Sequence, residues 1–339
     1  MSRIALSADW HSRGVDHVLF DAQLQALVDR CIEEQIEILA VAGDLYDHPS
    51  IGDEHASTGR QIATINRELH RLVEQDVDVL LISGNHDLPP TGEAGALHAQ
   101  DGRSGVYVVH YQPEMVSLRE VGFLCVPWSW FPRPVPEMLN GLGIADAQIL
   151  LAHVRVPGAL VREAVPWLPT RPEWAIGQDE LHKLGKHLAL GDFHRRQELV
   201  DGRGGYVGAL RQLDWRNAGD PQGFEILETD TGERTWIELD KTPYHRIVEL
   251  EPGESPPEPR PNEKIIARFS VKPDAATEHR LEEQGIRVQY RQDGTERARR
   301  ADVPAGVIHD NDALVRLWAD AQELDEQRVD RMLRLQEQG

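Results

Sequence analysis

Carboxylates, imidazoles and one side-chain amide recur in five short clusters along this 339-residue chain: Asp9-Trp10-His11, Gly43-Asp44-Leu45-Tyr46-Asp47, Gly84-Asn85-His86-Asp87, His153, and Gly191-Asp192-Phe193-His194. Donors of these kinds bind borderline and hard divalent ions, and a carboxylate such as that of Asp44 has two oxygens with which to reach two ions. Pairs of ions about 3.5 to 4 Å apart recur in enzymes that cut phosphate esters. The chemistry on offer is therefore two-metal hydrolysis of a phosphoester.

Each cluster follows an apolar run: Ile4-Ala5-Leu6, Ile38-Leu39-Ala40-Val41, Val77 to Ile82, Ile149-Leu150-Leu151 and Leu188-Ala189-Leu190. Such runs read as buried strands. An open α/β sheet gathers the loops at the carboxyl ends of its strands into one crevice, so residues far apart in sequence can share a site. Taken singly the clusters are weaker. Asp9 and His11 lie two residues apart, on one side of a strand end, but Asp-x-His is common. Gly43 permits close backbone approach before Asp44, and a helical turn beginning there would return Asp47 to the crevice. Asn85 offers an amide oxygen to an ion, with His86 beside the substrate. His153 alone would read as a core histidine, and its place after a buried run makes it a ligand candidate. Asp192 and His194 repeat the spacing of Asp9 and His11. His17, His55, His98, His182 and His279 have no such company and read as surface or structural residues.

Around these clusters the pattern begins strand, helix, strand, helix, strand. Leu24, Leu27, Val28, Cys31 and Ile32 fall at helical spacing, as do Ile62, Ile65, Leu69, Leu72 and Val73. Shorter runs at Tyr107-Val108-Val109, Met115 to Leu118 and Gly122 to Val126 predict a second, partly antiparallel sheet, and further strands follow at Tyr206–Leu210, Gly223–Leu227 and Thr235–Leu239. The expected class is α/β (α+β): two packed mixed β-sheets flanked by helices. The proline-rich stretch at residues 251–262 cannot sustain a helix or central strand, because proline removes amide donors and fixes φ. Beyond it the sequence predicts a strand at Lys264–Val271, a helix capped by Asp274, a strand at Ile286–Tyr290 and a final helix from Asn311. The domains expected are residues 1–241, carrying the clusters, and 242–339, a small α+β module.

The formal net charge of −21 opposes simple electrostatic attraction to nucleic acid. A local positive focus can exist on an acidic protein, and Arg195, Arg196, Arg203, Arg211 and Arg216 follow the last cluster closely. Of these, Arg195, Arg196 and Arg211 are candidate substrate-binding residues, with a solvated loop and strand face as the alternative. Trp128, Trp130, Phe131 and Arg133 could stack on bases or simply pack against their own domain. The two cysteines, Cys31 and Cys125, sit in apolar company and read as buried thiols of a reducing compartment. No apolar run approaches the roughly 18 residues of a membrane span, and the chain enters a strand without a signal-peptide pattern, so a cytoplasmic protein is expected.

With its ordered motifs Asp9-x-His11, Gly43-Asp44-x-x-Asp47, Gly84-Asn85-His86-Asp87, His153 and Gly191-x-x-His194, the chain resembles the calcineurin-like metallophosphoesterase superfamily. Within it the chain is most similar to the SbcD-type DNA repair nucleases, on Ser7-Ala8-Asp9-Trp10-His11, on Gly191 to Gln197, and on Tyr206 to Trp215 leading into Gly223-Phe224-Glu225. The resemblance implies that Asp9, His11, Asp44 and His194 hold one ion while Asp44, Asn85, His153 and Asp192 hold the other. It implies His86 as the catalytic acid or substrate stabiliser, oriented by Asp47. It also implies a capping role for the C-terminal module. The family usually has histidine where this chain has Asp192, and a carboxylate there makes the second position harder, favouring Mn2+ or Mg2+.

The expected activity is Mn2+-dependent cleavage of DNA by a homodimer working with an SbcC-like, SMC-type ATPase that supplies much of the DNA grip. Two other readings remain at this point: a phosphatase or cyclic-nucleotide phosphodiesterase, favoured by the negative charge, and a weakly active scaffold in which Asp192 marks decay.

Overall fold

Strands whose side chains are apolar on both faces must be covered on both faces, and that requirement sets the architecture. The computed structural model describes residues 2–290, apart from 15–16, 50–58, 90–94, 129–136, 138, 140, 143, 163–164, 167–174, 214–216, 219, 240–244, 252 and 261–262. The strands are β1 (Arg3–Ser7), β2 (Ile38–Val41), β3 (Asp78–Ile82), β4 (Val106–Val109), β5 (Glu114–Leu118) and β6 (Val121–Val126). They continue with β7 (Ile149–His153), β8 (Leu160–Arg162), β9 (Val165–Pro166), β10 (His187–Gly191), β11 (Gln197–Val200) and β12 (Gly204–Tyr206). The last are β13 (Gly223–Glu228), β14 (Arg234–Glu238), β15 (His245–Leu250), β16 (Lys264–Phe269) and β17 (Arg287–Tyr290).

One six-stranded sheet has the order β14-β13-β1-β2-β3-β4 and the other β11-β12-β10-β7-β6-β5. Both are mixed: β1 runs parallel to β2 and antiparallel to β13, while β7 lies parallel to both β6 and β10, and β5 antiparallel to β6. The period of two is visible in β1. Ile4 and Leu6 join Ile38, Ala40, Leu80, Phe123, Cys125, Ile149, Leu151 and Ala189 in the core between the sheets. Ala5 faces the other way, into the layer of helices α1 (His17–Glu33) and α2 (Gly59–Glu74). Those helices bury Phe20, Leu24, Leu27, Val28 and Cys31, and Ile65, Leu69 and Leu72, along one stripe each. The outer face of the second sheet, through Leu124, Leu150 and Leu188, is covered by Ile176, Leu181 and Leu184. The two packed mixed sheets with outer helices are those the sequence predicts.

Both cysteines are buried and unbridged, and burial pushes each thiol up, which keeps it protonated and unreactive. Among the described residues no helix is long and apolar enough to cross a membrane.

The chain divides into two units, residues 1–247 with 258–265, and 248–257 with the chain from Ile266 onward. Strands β15, β16 and β17 form a three-stranded sheet in that order, with β16 parallel to β17. The helix Ala275–Glu283 connects β16 to β17, and the Asp274 carboxylate caps it by accepting from the Thr277 amide at 2.8 Å. The described part of 251–262 has neither helix nor strand. Trp130, Phe131, Arg133 and the helix expected from Asn311 lie outside the described residues.

Candidate metal centre

Parallel pairing of β1 with β2 continues past the strand ends as a zip between their two loops. The amides of Asp9, His11 and Ser12 donate to the carbonyls of Gly43, Asp44 and Leu45 at 3.0, 2.9 and 2.9 Å, and the Asp47 amide donates to Ser12 at 3.2 Å. Asp47 therefore returns on an extended, bridged loop rather than on the helical turn expected from sequence, because the carbonyls a helical turn would need as acceptors, those of Gly43, Asp44 and Leu45, are already committed to the first loop. Four polar residues around it sit at positive φ: Asp9 at 52°, His11 at 44°, Asp44 at 54° and Asp192 at 94°. Non-glycine residues seldom sit there, and such strain gathers at functional sites. Gly43, with φ of 87°, lets the His153 ring lie where a Cβ would otherwise be.

Asp9, His11, Asp44, Asp87 and His153 are all buried, and the Asp192 side chain is only 4 % exposed. Asp192 donates its amide to Asp9 Oδ1 at 3.0 Å, and His86 donates its amide to Asp44 Oδ1 at 2.8 Å. Asp87 accepts from the amides of Gly84 at 2.8 Å and Tyr46 at 3.0 Å, so it braces the third loop against the second. Burial, joined by repulsion from neighbouring carboxylates, raises the proton affinity of Asp9 and Asp44 well above the usual range. Burial likewise lifts Asp87 to about 6, against the pull of its amide donors.

The histidines are held as lone-pair donors. His153 donates Nδ1–H to the Ala42 carbonyl at 2.8 Å, and burial lowers its pKa to about 4, so the ring is neutral near pH 7. Its Nε2 is then an acceptor, yet it faces three further acceptors: Asn85 Oδ1 at 3.0 Å, Asp44 Oδ2 at 3.5 Å and Asp192 Oδ1 at 3.9 Å. His11 repeats the arrangement. Its Nδ1 meets Asp47 Oδ1 at 2.9 Å, burial keeps the ring neutral, and Nε2 faces Asp44 Oδ2 at 3.4 Å without a hydrogen bond. Asp9 Oδ2 is likewise buried and has no hydrogen-bond partner among the described residues. Buried lone pairs converging on one place, two of them without a hydrogen-bond partner among the described residues, fit a cation.

Donor atoms of Asp9, His11 and His194 lie within 4.8 Å of one another, as do those of Asp9, Asp44 and His153. The clusters read from sequence thus meet at one place. The fit is good for the first group, whose orphaned atoms belong to Asp9 and His11. The set that the resemblance implies for the other ion, which includes Asp192, is modified. Arg155 donates Nε to Asp192 Oδ2 at 2.8 Å and a terminal nitrogen to Asp192 Oδ1 at 3.1 Å, leaving each oxygen a further lone pair.

The geometry adds detail to the expectations for His86, Asp47 and the arginines. His86 Nδ1 is held at 2.8 Å by the backbone carbonyl of Asp47, while the Asp47 carboxylate serves His11. Burial alone would raise Asp47, and the His11 N–H with the nearby Arg13 charge brings it below its ordinary value instead. Arg211 is fully buried and donates to the carbonyls of His11 at 2.7 Å and Trp10 at 3.3 Å, so it braces the first loop and presents no face to solvent. Arg195 lies 3.9 Å from Asp220, and Arg196 donates to Glu225 at 2.9 Å. Trp128 is 5 % exposed and sets its edge against His153 at 6.2 Å, with the Arg155 guanidinium 5.2 Å over its ring. Arg155 belongs to none of the five clusters, although its place two residues after His153 puts it on the same side of the strand end.

Residues 2–153 match the calcineurin-like phosphoesterase family. The two mixed sheets flanked by helices are consistent with a metallophosphoesterase fold. Similar solved structures include TT1561 of Thermus thermophilus, 13 % identical over 70 % of this chain and 99 % of that one, with a TM-score of 0.42. Another is a hypothetical protein, PH1004, from Pyrococcus horikoshii, 12 % identical over 71 % of this chain and 90 % of that one, with a TM-score of 0.37.

Proposed function

We propose that this protein is a two-metal phosphodiesterase acting on DNA, a nuclease of the SbcD type. The observation that carries the reading is His153 Nε2, a buried lone pair directed at the oxygens of Asn85, Asp44 and Asp192. Asp9, His11, Asp44 and His194 would hold one divalent ion and Asp44, Asn85, His153 and Asp192 the other. Bound there, two ions supply Lewis acidity to the phosphoryl oxygens and acidify an attacking water. Oxygen-rich donor sets favour Mn2+, with Mg2+ as the alternative.

The protein's own part is positioning and proton transfer. Asp47 fixes the His11 ring through Nδ1, and Ala42 does the same for His153, so both rings keep their orientation when the substrate arrives. His86, tied at Nδ1 to the Asp47 carbonyl, keeps Nε2 for the substrate. Protonated, it donates to the leaving oxygen. In the proposal the active particle is a homodimer that works with an SMC-type ATPase, which compensates for the surface charge of −21.

A second reading keeps the chemistry and replaces DNA by a small phosphoester. It is favoured by the engagement of Arg195, Arg196 and Arg211 with Asp220, Glu225 and the backbone, which leaves the expected basic track weaker. The test compares duplex DNA, single-stranded DNA and a chromogenic phosphodiester with Mn2+, using His86→Ala as the control. Cleavage of DNA that the control lacks supports the nuclease, and cleavage confined to the small diester supports the second reading.

A further inference from the structure

A second group of metal-ligating side chains lies outside the centre described above. His98 sits in the 3-10 turn Ala96–Gln100, Asp101 follows it, and His110 follows β4. The two imidazoles stack at 4.1 Å between centroids with their planes 9° apart. Asp101 Oδ1 lies 2.7 Å from His110 Nε2, and the Tyr111 hydroxyl lies 3.3 Å from His98 Nε2. One ring nitrogen of each histidine and one Asp101 oxygen all fall within 4.8 Å of one another.

The support under these residues is rigid on both sides. The Ala96 amide donates to the Pro49 carbonyl at 2.7 Å, and Gln100 donates to the Tyr46 hydroxyl at 2.9 Å, which ties the turn to the second loop of the main centre. On the other side the Ser83 hydroxyl donates to the His110 carbonyl. His98 Nδ1 lies 3.0 Å from the Gly95 amide and 3.3 Å from the Gly95 carbonyl, and with its proton directed at that carbonyl Nε2 keeps a lone pair for a ligand. The Asp101 side chain is 45 % exposed, so an ion has a route in from solvent.

A plain Asp–His hydrogen bond with a stacked neighbour is the simpler description, and two features exceed it. The stack brings a nitrogen of each ring and an Asp101 oxygen within 4.8 Å of one another, a convergence of three donors that a single hydrogen bond does not require. His110 also encloses a ring nitrogen, Nδ1, with no hydrogen-bond partner among the described residues. We propose that His98, Asp101 and His110 form a separate binding site for one borderline divalent ion of the Zn2+ class. Two imidazoles and a carboxylate with an open position are a donor set for such ions, whereas Mg2+ and Ca2+ prefer oxygen. The site uses none of the donors of the main centre and stands independently of the proposed function.

The experiment titrates the chelator-stripped full-length protein with Zn2+, and with Co2+ as a spectroscopic substitute, counting equivalents and recording the visible d–d bands. The expected result is that His98→Gln/His110→Gln binds one equivalent fewer than the wild type, and that Asp101→Asn, an exposed change that spares the core, weakens the same class of site by at least about tenfold. Wild type, the double variant and Asp101→Asn binding the same number of ions with the same affinities would overturn the proposal. Ions that persist in Asp44→Asn but vanish in the double variant would support this site even if the main centre proved empty.

Discussion

Arg155 and Asp192 are joined by two hydrogen bonds, of 2.8 and 3.1 Å, at the rim of the candidate metal centre. The pair carries no net charge, so with respect to charge it does what a neutral imidazole would do at position 192. Arg155→Met leaves Asp192, a side chain that is 4 % exposed, with an uncompensated charge. Because Arg155 is itself partly exposed, the expected loss in metal-free protein is about 1–3 kcal/mol, below the range for a fully buried pair. Added Mn2+ should restore more thermal stability to the variant than it adds to wild type. Equal gains would show that the guanidinium and the ion do not serve the same carboxylate.

His86→Ala should keep the fold and both ions while lowering turnover by about 10²–10⁴-fold, the usual range for a lost general acid. Asp44→Ala should lose ions and turnover together. Metal analysis beside the rate separates the two outcomes, and an unchanged rate in His86→Ala would remove that residue from the chemistry.

Asp47→Ala acts through His11, whose Nδ1 it holds at 2.9 Å. Loss of a partner that orients a ligating histidine typically costs about 10–100-fold in metal affinity. The same variant retains the backbone carbonyl at position 47 that holds His86. Its rate at saturating Mn2+ should therefore approach that of wild type, and a rate still depressed at saturation would place the carboxylate in the reaction itself.

Acidity should govern the effect of metal on stability. Asp9, Asp44 and Asp87 have folded-state proton affinities raised by burial, Asp87 to about 6, so metal-free protein gains stability from these groups at low pH and loses it as pH rises through their folded values. A divalent ion would replace the protons of Asp9 and Asp44 and favour the ionised form of the neighbouring Asp87. The increase in Tm on adding Mn2+ should grow from about pH 5 to about pH 7.5, with protons released on binding, and a pH-independent increase would contradict the shifts.

Arg211→Lys should destabilise the protein without changing the salt dependence of DNA binding. The guanidinium satisfies the carbonyls of Trp10 and His11 in a fully buried place, and a lysine ammonium cannot span both from there. With two buried acceptors worth about 1–3 kcal/mol each, the expected cost is about 2–4 kcal/mol by chemical denaturation. A variant of wild-type stability with a reduced salt slope would return Arg211 to the substrate.

The apolar runs carried most of the fold, since Ile4 to Leu6 or Leu188 to Leu190 can be buried on both faces only between packed layers. The clusters after them converged because strand ends gather loops, a rule that needs no knowledge of which strands are neighbours. What depended on particular distances was not legible. The Asp47 carboxylate went to His11 and its carbonyl to His86, a division that spacing does not encode. Arg211 reads in sequence like any loop arginine, and only the path of the first loop over it makes it a buried brace. His98 and His110 meet because a turn and the end of β4 stack them, which no periodicity announces.

Anomalous scattering at the manganese edge, from crystals of the full chain grown with Mn2+, is the most direct measurement. The account predicts two peaks about 3.5–4 Å apart, one on each side of the Asp44 carboxylate. A single peak, or peaks away from Asp44 and His153, would contradict it.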